Sequence, residues 1–144
     1  MAHEFRMLHR VQFADTDMAG LAHFSSYFRF MEATEHAFIR SLGHSIVMWE
    51  RFKVGWPRVH ASCDYTGPLR FEDEVEVRLR VLEKKEKSLT YEFVFRRLRP
   101  EPVLEVGRGR VTTVCVTRDG SGTMKSVPIP EEIARLIEAA PPGA

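Results

Sequence analysis

The sequence predicts an α+β domain in which a curved antiparallel sheet wraps around one long central helix. Residues 26–42 carry apolar side chains over most of a helical circumference, so this helix needs cover on most sides. Further along the chain, several runs alternate apolar and polar residues with the period of half-buried strands, and short turns separate them. Strands that are apolar on one face need a covering layer, and a helix that is apolar nearly all round needs a sheet around it.

Length and composition indicate one globular domain spanning residues 1–144, with a flexible tail at about 140–144. The net charge of +1 gives no global basis for binding nucleic acid. No apolar run is long enough for membrane insertion, and the segment MAHEFRMLHR lacks the apolar core of a signal peptide, so we expect a cytoplasmic protein. Cys63 and Cys115 fall in predicted strands without the spacing of metal ligands, and we expect buried, reduced thiols.

The first half of the chain contains the predicted helix. Alternation from Phe5 predicts a strand that ends at Phe13, followed by a loop over 14–24. The helix over 26–42 ends before Gly43, where a left-handed residue is expected. Residues 44–56 are predicted to form a short helix or loop that caps a pocket.

The second half predicts a series of antiparallel strands. The runs are 57–65, 73–82, 89–95 and 103–117, followed by a turn over 119–122 and a short helix from Pro130. Gly107 and Gly109 predict a bend or bulge in the last long strand. Such a sheet leaves open edges, so we expect at least a homodimer, with a tetramer as the alternative.

One acidic residue interrupts the apolar face of the helix. Glu35 projects between Phe28, Met31 and Leu42. A buried carboxylate needs a partner or a raised pKa. Two interpretations follow: a salt bridge to an arginine of the sheet or of a second subunit, or a catalytic or substrate-facing role.

The turn before the helix contains the candidate catalytic residues. Asp15 and Asp17 precede Gly20, whose backbone freedom would let the turn bring Asp17 back to the start of the helix. Helix N–H groups favour an ionised carboxylate and also stabilise the oxyanion formed when a carbonyl is attacked. A carboxylate beside such donors can attack a carbonyl or activate a water molecule. Simple helix capping by the acid is the alternative.

The same residues resemble a known family. The loop and helix resemble the Asp-x-Asp-x-x-Gly loop and Tyr-x-x-[aromatic]-[apolar]-Glu helix of hotdog-fold acyl-CoA thioesterases. The branch is that of 4-hydroxybenzoyl-CoA thioesterase and the Tol–Pal-associated thioesterases. The matching residues are Asp15, Asp17, Gly20, Tyr27, Phe30, Met31 and Glu32. Residues 64–77 resemble the second sequence block of the family.

The resemblance implies a function and a set of site residues. A hotdog thioesterase would cleave an acyl- or aroyl-CoA to free acid and coenzyme A, with no metal and no cofactor apart from the coenzyme A of the substrate. Asp17 would act as nucleophile or general base, and the backbone N–H of Phe24 would be the oxyanion donor. Gly20, His23 and Tyr27 would contact the substrate.

Several alternatives stay open. His23 either lines the thioester pocket or packs in the loop, and Tyr27 faces either the acyl pocket or the core. Asp15 is expected to have a structural hydrogen-bonding role. A second function from another class is a non-catalytic hotdog module that binds acyl thioesters or serves as an assembly subunit.

Overall fold

The computed structural model describes residues 1–143. The chain begins with strand β1 (Glu4–Arg10), a single 3-10 turn (Phe13–Asp15), helix α1 (Phe24–Ser41) and helix α2 (Trp49–Phe52). The later elements are β2 (Arg58–Tyr65), β3 (Glu74–Lys84), β4 (Ser88–Arg99), β5 (Leu104–Val114), β6 (Val116–Arg118), β7 (Met124–Ser126) and α3 (Glu131–Ala134). The architecture is therefore α+β, as predicted.

Five of the strands form one antiparallel sheet. Its order is β1-β3-β4-β5-β2, while β6 and β7 form a separate hairpin. The strict alternation in β3 places Val75, Val77, Leu79 and Val81 on one face, and all four are fully buried. This face forms the core with α1, because apolar side chains at every second residue of a strand share one side of the sheet.

Helix α1 packs on the sheet through one stripe. Buried positions recur at the helical period, from Tyr27 through Phe30 and Met31 to Phe38 and Ile39. In the single chain the opposite side of α1 is not covered, because the side chains of this second stripe are exposed: Arg29, Glu32 and Arg40. Gly43 has a φ of +86° at the end of the helix, which confirms the predicted left-handed residue.

Two predicted strand boundaries are wrong. The first strand ends at Arg10, and Phe13 lies in the 3-10 turn with 78% of its surface exposed. The predicted strand over 103–117 is divided: β5 ends at Val114, the Cys115 carbonyl accepts from the Val127 N–H, and Val116–Arg118 pairs with β7 as a separate strand. The first strand is cut short by the local hydrogen bonds of the 3-10 turn, and the last one is divided by a change of pairing partner, and alternation alone predicts neither.

The two glycines of β5 serve the predicted change in the strand. A bulge lies beside Gly107, where the pairing with β4 shifts between Phe95 and Arg96. A Cβ at Gly109 would lie 2.4 Å from the Sδ of Met31. Gly109 therefore permits the close approach of α1 to the sheet.

The two cysteines are not equally buried. Cys115 is buried and Cys63 is half-buried, so the expected full burial holds for Cys115 alone. The predicted flexible tail at 140–144 extends to a residue outside the described range, while the Ala140 N–H donates to Val81 and the Pro141 carbonyl accepts from Arg80. Within residues 1–143, no helix has both the length and the apolar character needed to span a bilayer.

Candidate active site

Asp15 anchors the loop that joins β1 to α1. Its carboxylate accepts a hydrogen bond from the Gln12 N–H at 2.8 Å and another from the Arg29 guanidinium at 3.0 Å. Its carbonyl accepts from the His23 N–H at 2.7 Å and from the Ser26 hydroxyl at 2.8 Å. These four contacts tie the loop to the entrance of the helix and confirm the predicted structural role.

Asp17 closes a tight turn two residues later. Its Oδ1 accepts from the backbone N–H groups of Ala19 at 2.9 Å and Leu21 at 3.3 Å. Gly20 adopts a φ of +78°, as its predicted conformational role requires. We expected the N–H groups of the helix to donate hydrogen bonds to this carboxylate, and that expectation is wrong. The N–H groups of its own turn are nearer along the chain, and they donate to Oδ1 instead. Asp17 is exposed, and no described residue donates a hydrogen bond to its Oδ2.

A turn of the same geometry occurs elsewhere in the chain. The Oδ1 of Asp119 accepts from the N–H groups of Ser121 at 2.9 Å and Thr123 at 3.0 Å, and Gly122 has a φ of +84°. The hydrogen-bonding offsets, two and four residues ahead, equal those of Asp17. In both turns Oδ1 alone accepts hydrogen bonds from described residues, so what distinguishes Asp17 is its place in the loop that leads into α1.

His23 caps the helix in place of the acid. Its Nδ1 accepts from the Ser25 N–H at 3.2 Å and lies 2.7 Å from the Ser25 hydroxyl. A neutral ring that accepts at Nδ1 carries its proton on Nε2. The ring also stacks on Phe24 with 4.3 Å between centroids. His23 thus packs in the loop as the N-cap residue, and its outer nitrogen remains a donor.

Phe24 begins the helix and supplies its first free amide. The Phe24 N–H donates to none of the described residues, which is typical of the first turn of a helix, where N–H groups lack intrahelical partners. Its carbonyl accepts from the hydroxyl of Tyr65 on β2 at 2.9 Å, which fixes the peptide at the helix start. The chain therefore offers an unpaired donor at the position expected of an oxyanion site.

Tyr27 packs in the core. It is 3% exposed, its hydroxyl donates to the Gly67 carbonyl at 3.3 Å, and its ring meets Tyr65 edge-on at 4.8 Å. Burial raises the pKa of the Tyr27 phenol to about 12. The phenol therefore stays protonated at neutral pH and acts as a core side chain, one of the two predicted alternatives.

Two contacts join α1 to β2: the Tyr65–Phe24 hydrogen bond at the helix start and the ion pair between Arg58 and Glu35 further along the helix. Beside the ion pair lies a cavity of about 130 Å³ with mostly apolar walls. Its lining includes Phe28, Met31, Glu35, Arg58, Phe93 and Val111. Phe28 lies one turn beyond Phe24, about 6 Å along the helix axis.

Glu35 is a deeply buried acid with one cationic partner. It is 2% exposed, and the Arg58 guanidinium donates to both carboxylate oxygens, at 2.8 Å to Oε2. Burial raises the pKa of the Glu35 carboxyl above its ordinary value, and the nearby Arg58 opposes that shift. The predicted salt bridge to an arginine of the sheet is confirmed.

Two contributors to this region were missed from the sequence. Tyr65 was identified only as a strand residue, although its hydroxyl holds the helix entrance. Arg58 was not singled out among the many arginines of the sheet. The available signal was its place at the start of a strand antiparallel to the helix, but the pairing joins residues 23 positions apart and no local pattern specifies it.

The arrangement offers a carboxylate oxygen and a backbone donor on one loop and helix entrance. Within residues 1–143, no group of three or more His, Cys, Asp and Glu side chains is placed to hold a metal ion. The chemistry that these residues can perform without further groups is attack on a polarised carbonyl or activation of water.

Comparison with known proteins places the chain in a family. The sequence profile of the Thioesterase-like superfamily matches residues 11–137. A protein of Aquifex aeolicus (strain VF5) with the name "Putative esterase" is 29% identical over 129 residues, which cover 90% of this chain and 94% of that protein.

Solved structures show the same fold. The structure of BH1999 gentisyl-coenzyme A thioesterase is 29% identical, with a TM-score of 0.74 and coverage of 90% of this chain and 98% of that one. The 4-hydroxybenzoyl-CoA thioesterase of Pseudomonas sp. strain CBS-3 is 22% identical, with a TM-score of 0.83 and coverage of 94% and 99%. With its antiparallel sheet, its packed helix and a profile match over most of its length, the chain belongs to the Thioesterase-like superfamily and has the hotdog fold.

Proposed function

We propose that this chain hydrolyses an acyl- or aroyl-CoA thioester to the free acid and coenzyme A. The observation that carries the proposal is the pairing of two unused groups: the Oδ2 of Asp17, which accepts no hydrogen bond from a described residue, and the Phe24 N–H, which has no acceptor there. Asp119 also leaves its Oδ2 free, so the proposal rests on the place of Asp17 in the loop that leads into α1, where its Oδ1 closes the turn. The remaining oxygen is available for chemistry.

The reaction would proceed at the helix entrance. The thioester oxygen accepts from the Phe24 N–H, which stabilises the negative charge that develops on it, and one such donor contributes about 3 kcal/mol in hydrolases of other folds. Asp17 then follows one of two routes. As a nucleophile, its carboxylate attacks the carbonyl carbon, the coenzyme A thiolate leaves, and water hydrolyses the acyl-carboxylate anhydride. As a general base, it takes a proton from the attacking water.

The acyl group would lie in the 130 Å³ cavity beside Phe28. Phe28 lies one helical turn from Phe24, so this cavity is the one nearest along α1 to a thioester at the helix entrance. That volume is comparable to the ~150 Å³ cavity that holds benzene in a protein core. The Glu35–Arg58 pair at its edge offers hydrogen-bonding groups to a polar substituent. We infer a compact acyl group, such as a single hydroxylated ring, which is the kind of group that the gentisyl- and 4-hydroxybenzoyl-CoA thioesterase names denote.

The proposed enzyme acts as an oligomer. We infer a homodimer, in which a second copy covers the open edge of β2 and the exposed stripe of α1, and each sheet curves around its helix. A tetramer is the alternative. The proposed reaction needs no metal or redox cofactor. We place the chain in the branch of the 4-hydroxybenzoyl-CoA and Tol–Pal-associated thioesterases, and we expect the protein to act in the cytoplasm.

A non-catalytic hotdog module is the second candidate. The observation that favours it is the likeness of the Asp17 turn to the Asp119 turn, since the latter shows that this geometry also occurs without an adjacent helix entrance. A module of this kind would bind acyl-CoA and release no thiol.

A substrate panel separates the two functions. Purified protein is incubated with acetyl-, hexanoyl-, palmitoyl-, benzoyl- and 4-hydroxybenzoyl-CoA while free thiol is measured continuously. The proposal predicts turnover with at least one compact ester, and hydrolysis of the aroyl esters at least tenfold faster than that of palmitoyl-CoA, since one carbon chain of that length exceeds the cavity. Tight binding without thiol release across the panel would support the module instead.

A further inference from the structure

A second and larger cavity lies outside the proposed site. It occupies about 560 Å³ between the segment that links α1 to β2 and the β6–β7 hairpin. Trp49 and Trp56 form one wall, and Val116 and Met124 form the other. Its Pro57 precedes Arg58 of the 130 Å³ cavity along the chain, but the two cavities share no lining residue.

Backbone pairing holds the two walls together. The Gly55 N–H donates to the Val116 carbonyl at 2.9 Å, and the Val116 N–H donates back to the Gly55 carbonyl at 3.0 Å. The Thr117 hydroxyl donates to the Lys53 carbonyl at 2.7 Å. The link segment is therefore fixed to the hairpin, and the cavity is formed before any ligand arrives.

One cation stands at this apolar cavity. Of the described residues that line it, Arg118 alone is charged. No described acid lies within salt-bridge distance of Arg118, whereas most other arginines of the sheet are paired with a glutamate. A volume of this size with apolar walls and a single polar group matches the sites that bind small amphiphilic molecules.

We propose that this cavity binds an aliphatic carboxylate, with the hydrocarbon chain between the tryptophan wall and the wall formed by Val116 and Met124 and the carboxylate at Arg118. One guanidinium matches the single charge of a carboxylate and can bind both of its oxygens. A second copy of the chain is the competing occupant, and the dilution measurement below tests it. The site goes beyond the proposed hydrolysis and does not depend on it.

The two tryptophans make the site directly observable. They are the only tryptophans of the sequence, and both line the cavity, so intrinsic fluorescence reports on its occupation. Hexanoate, octanoate and decanoate are titrated into the protein, with decanol as the neutral probe. Affinity should rise about fourfold for each added methylene, because each one removes a similar apolar area from water. Decanol should bind more weakly than decanoate.

Two variants test the two halves of the site. Gly55→Leu places a side chain at the wall of the cavity without strain, since Gly55 lines it, the Cβ direction meets no atom within 4 Å, and the φ of Gly55 lies outside the left-handed region. It should weaken decanoate binding at least tenfold. Arg118→Gln should weaken decanoate binding about fivefold to tenfold, the scale of a charged hydrogen bond near solvent, and leave decanol binding unchanged. Arg135→Gln, at an exposed position outside the cavity, is the matched control and should change neither.

Three results would overturn the proposal. The first is fluorescence that does not respond to decanoate up to its solubility limit. The second is equal decanoate affinity in Gly55→Leu and the unmodified chain, or in Arg118→Gln and the unmodified chain. The third is ligand-free fluorescence that changes on dilution together with the sedimentation coefficient, because that result would show a second copy covering the cavity. Thioester turnover is measured in parallel, and its presence or absence bears on none of these outcomes.

Discussion

The acid inside the apolar face of α1 shows how far residue types alone lead. Glu35 stands where the helical pattern demands an apolar side chain, and that conflict predicts a partner or a raised pKa. Both occur, since Arg58 binds the carboxylate while burial raises its pKa. The identity of the arginine did not follow from the sequence, because a pairing across 23 positions depends on how β2 lies against the helix.

The raised pKa of Glu35 predicts a pH dependence of stability. The folded state holds this proton more tightly than the unfolded chain does. At pH values above the ordinary pKa of 4.5, the carboxyl is therefore protonated to a greater extent in the folded state than in the unfolded chain. The contribution of Glu35 to the free energy of unfolding therefore falls with rising pH. Glu35→Gln removes this titration, so the unmodified chain should lose stability relative to the variant from about pH 5 upward.

Urea unfolding of both proteins between pH 5 and pH 8 measures this difference. The free-energy difference between the unmodified chain and Glu35→Gln should shift in favour of the variant as pH rises above about 5, and it should level off once the carboxyl is ionised in both states. A difference that stays constant over that range, or that shifts in favour of the unmodified chain, would contradict the account of Glu35.

Asp17 shows the limit of motif reasoning at a single residue. The sequence identified the acid, the glycine and the helix start, and all three occupy one loop and helix entrance. The partner of the carboxylate was predicted wrongly, because helix polarity was weighed and the nearer amides of Ala19 and Leu21 were not. The free Oδ2 follows only from coordinates.

For turns and helix ends, the sequence predicted the type of element well but predicted the first and last residues poorly. Helix α1 begins at Phe24, two residues before its predicted start, because the His23 side chain caps it. No general capping preference includes histidine, so the earlier start carried no sequence signal. The left-handed glycines were predictable because few other residues adopt that conformation.

One turn uses a residue that its conformation disfavours. Glu72 has a φ of +71°, and the side chain of an L-residue crowds its own backbone there. Glu72→Gly should raise the free energy of unfolding by about 0.5 kcal/mol, after the entropy lost by glycine is subtracted. Gly43→Ala is the reverse change at a φ of +86° with no atom within 4 Å of the new Cβ, and it should cost about 1 kcal/mol.

Chemical denaturation of the two variants measures both changes. Opposite signs are expected, because the substitutions run in opposite directions through the same backbone conformation. Destabilisation by Glu72→Gly would show that the carboxylate makes a stabilising contact that outweighs the backbone strain.

At the scale of the whole molecule, the sheet ends in two unlike edges. Neither β1 nor β2 has a further strand beyond it among the described residues 1–143. Seven of the eight β2 residues are exposed in the single chain, whereas β1 alternates between half-buried and exposed positions. Alternation predicted the strands, but it carries no information on their spatial order. The order β1-β3-β4-β5-β2, which places the second strand at an edge, required the structure.

The free β2 edge predicts where a second copy binds. Val59 on β2 and Leu8 on β1 are both 62% exposed, so they form a matched pair of edge-strand positions. Val59→Glu should convert the proposed dimer to a monomer, because a charge buried in an interface without a partner is costly. Leu8→Glu should leave the dimer intact. Sedimentation equilibrium of the three proteins decides, and dissociation by Leu8→Glu alone would place the interface at the other edge.

The most direct test of the whole account compares two turn-closing aspartates. Asp17→Asn and Asp119→Asn each keep an Oδ1 for the turn amides, so both variants should fold with nearly unchanged stability. Only the first removes a carboxylate from the loop that leads to the free Phe24 N–H. With the ester that the panel identifies, kcat/KM should fall at least about a hundredfold in Asp17→Asn, the scale of losing a general base, and stay within about twofold in Asp119→Asn. Equal rates in the two variants would contradict the assignment of Asp17 as the catalytic carboxylate.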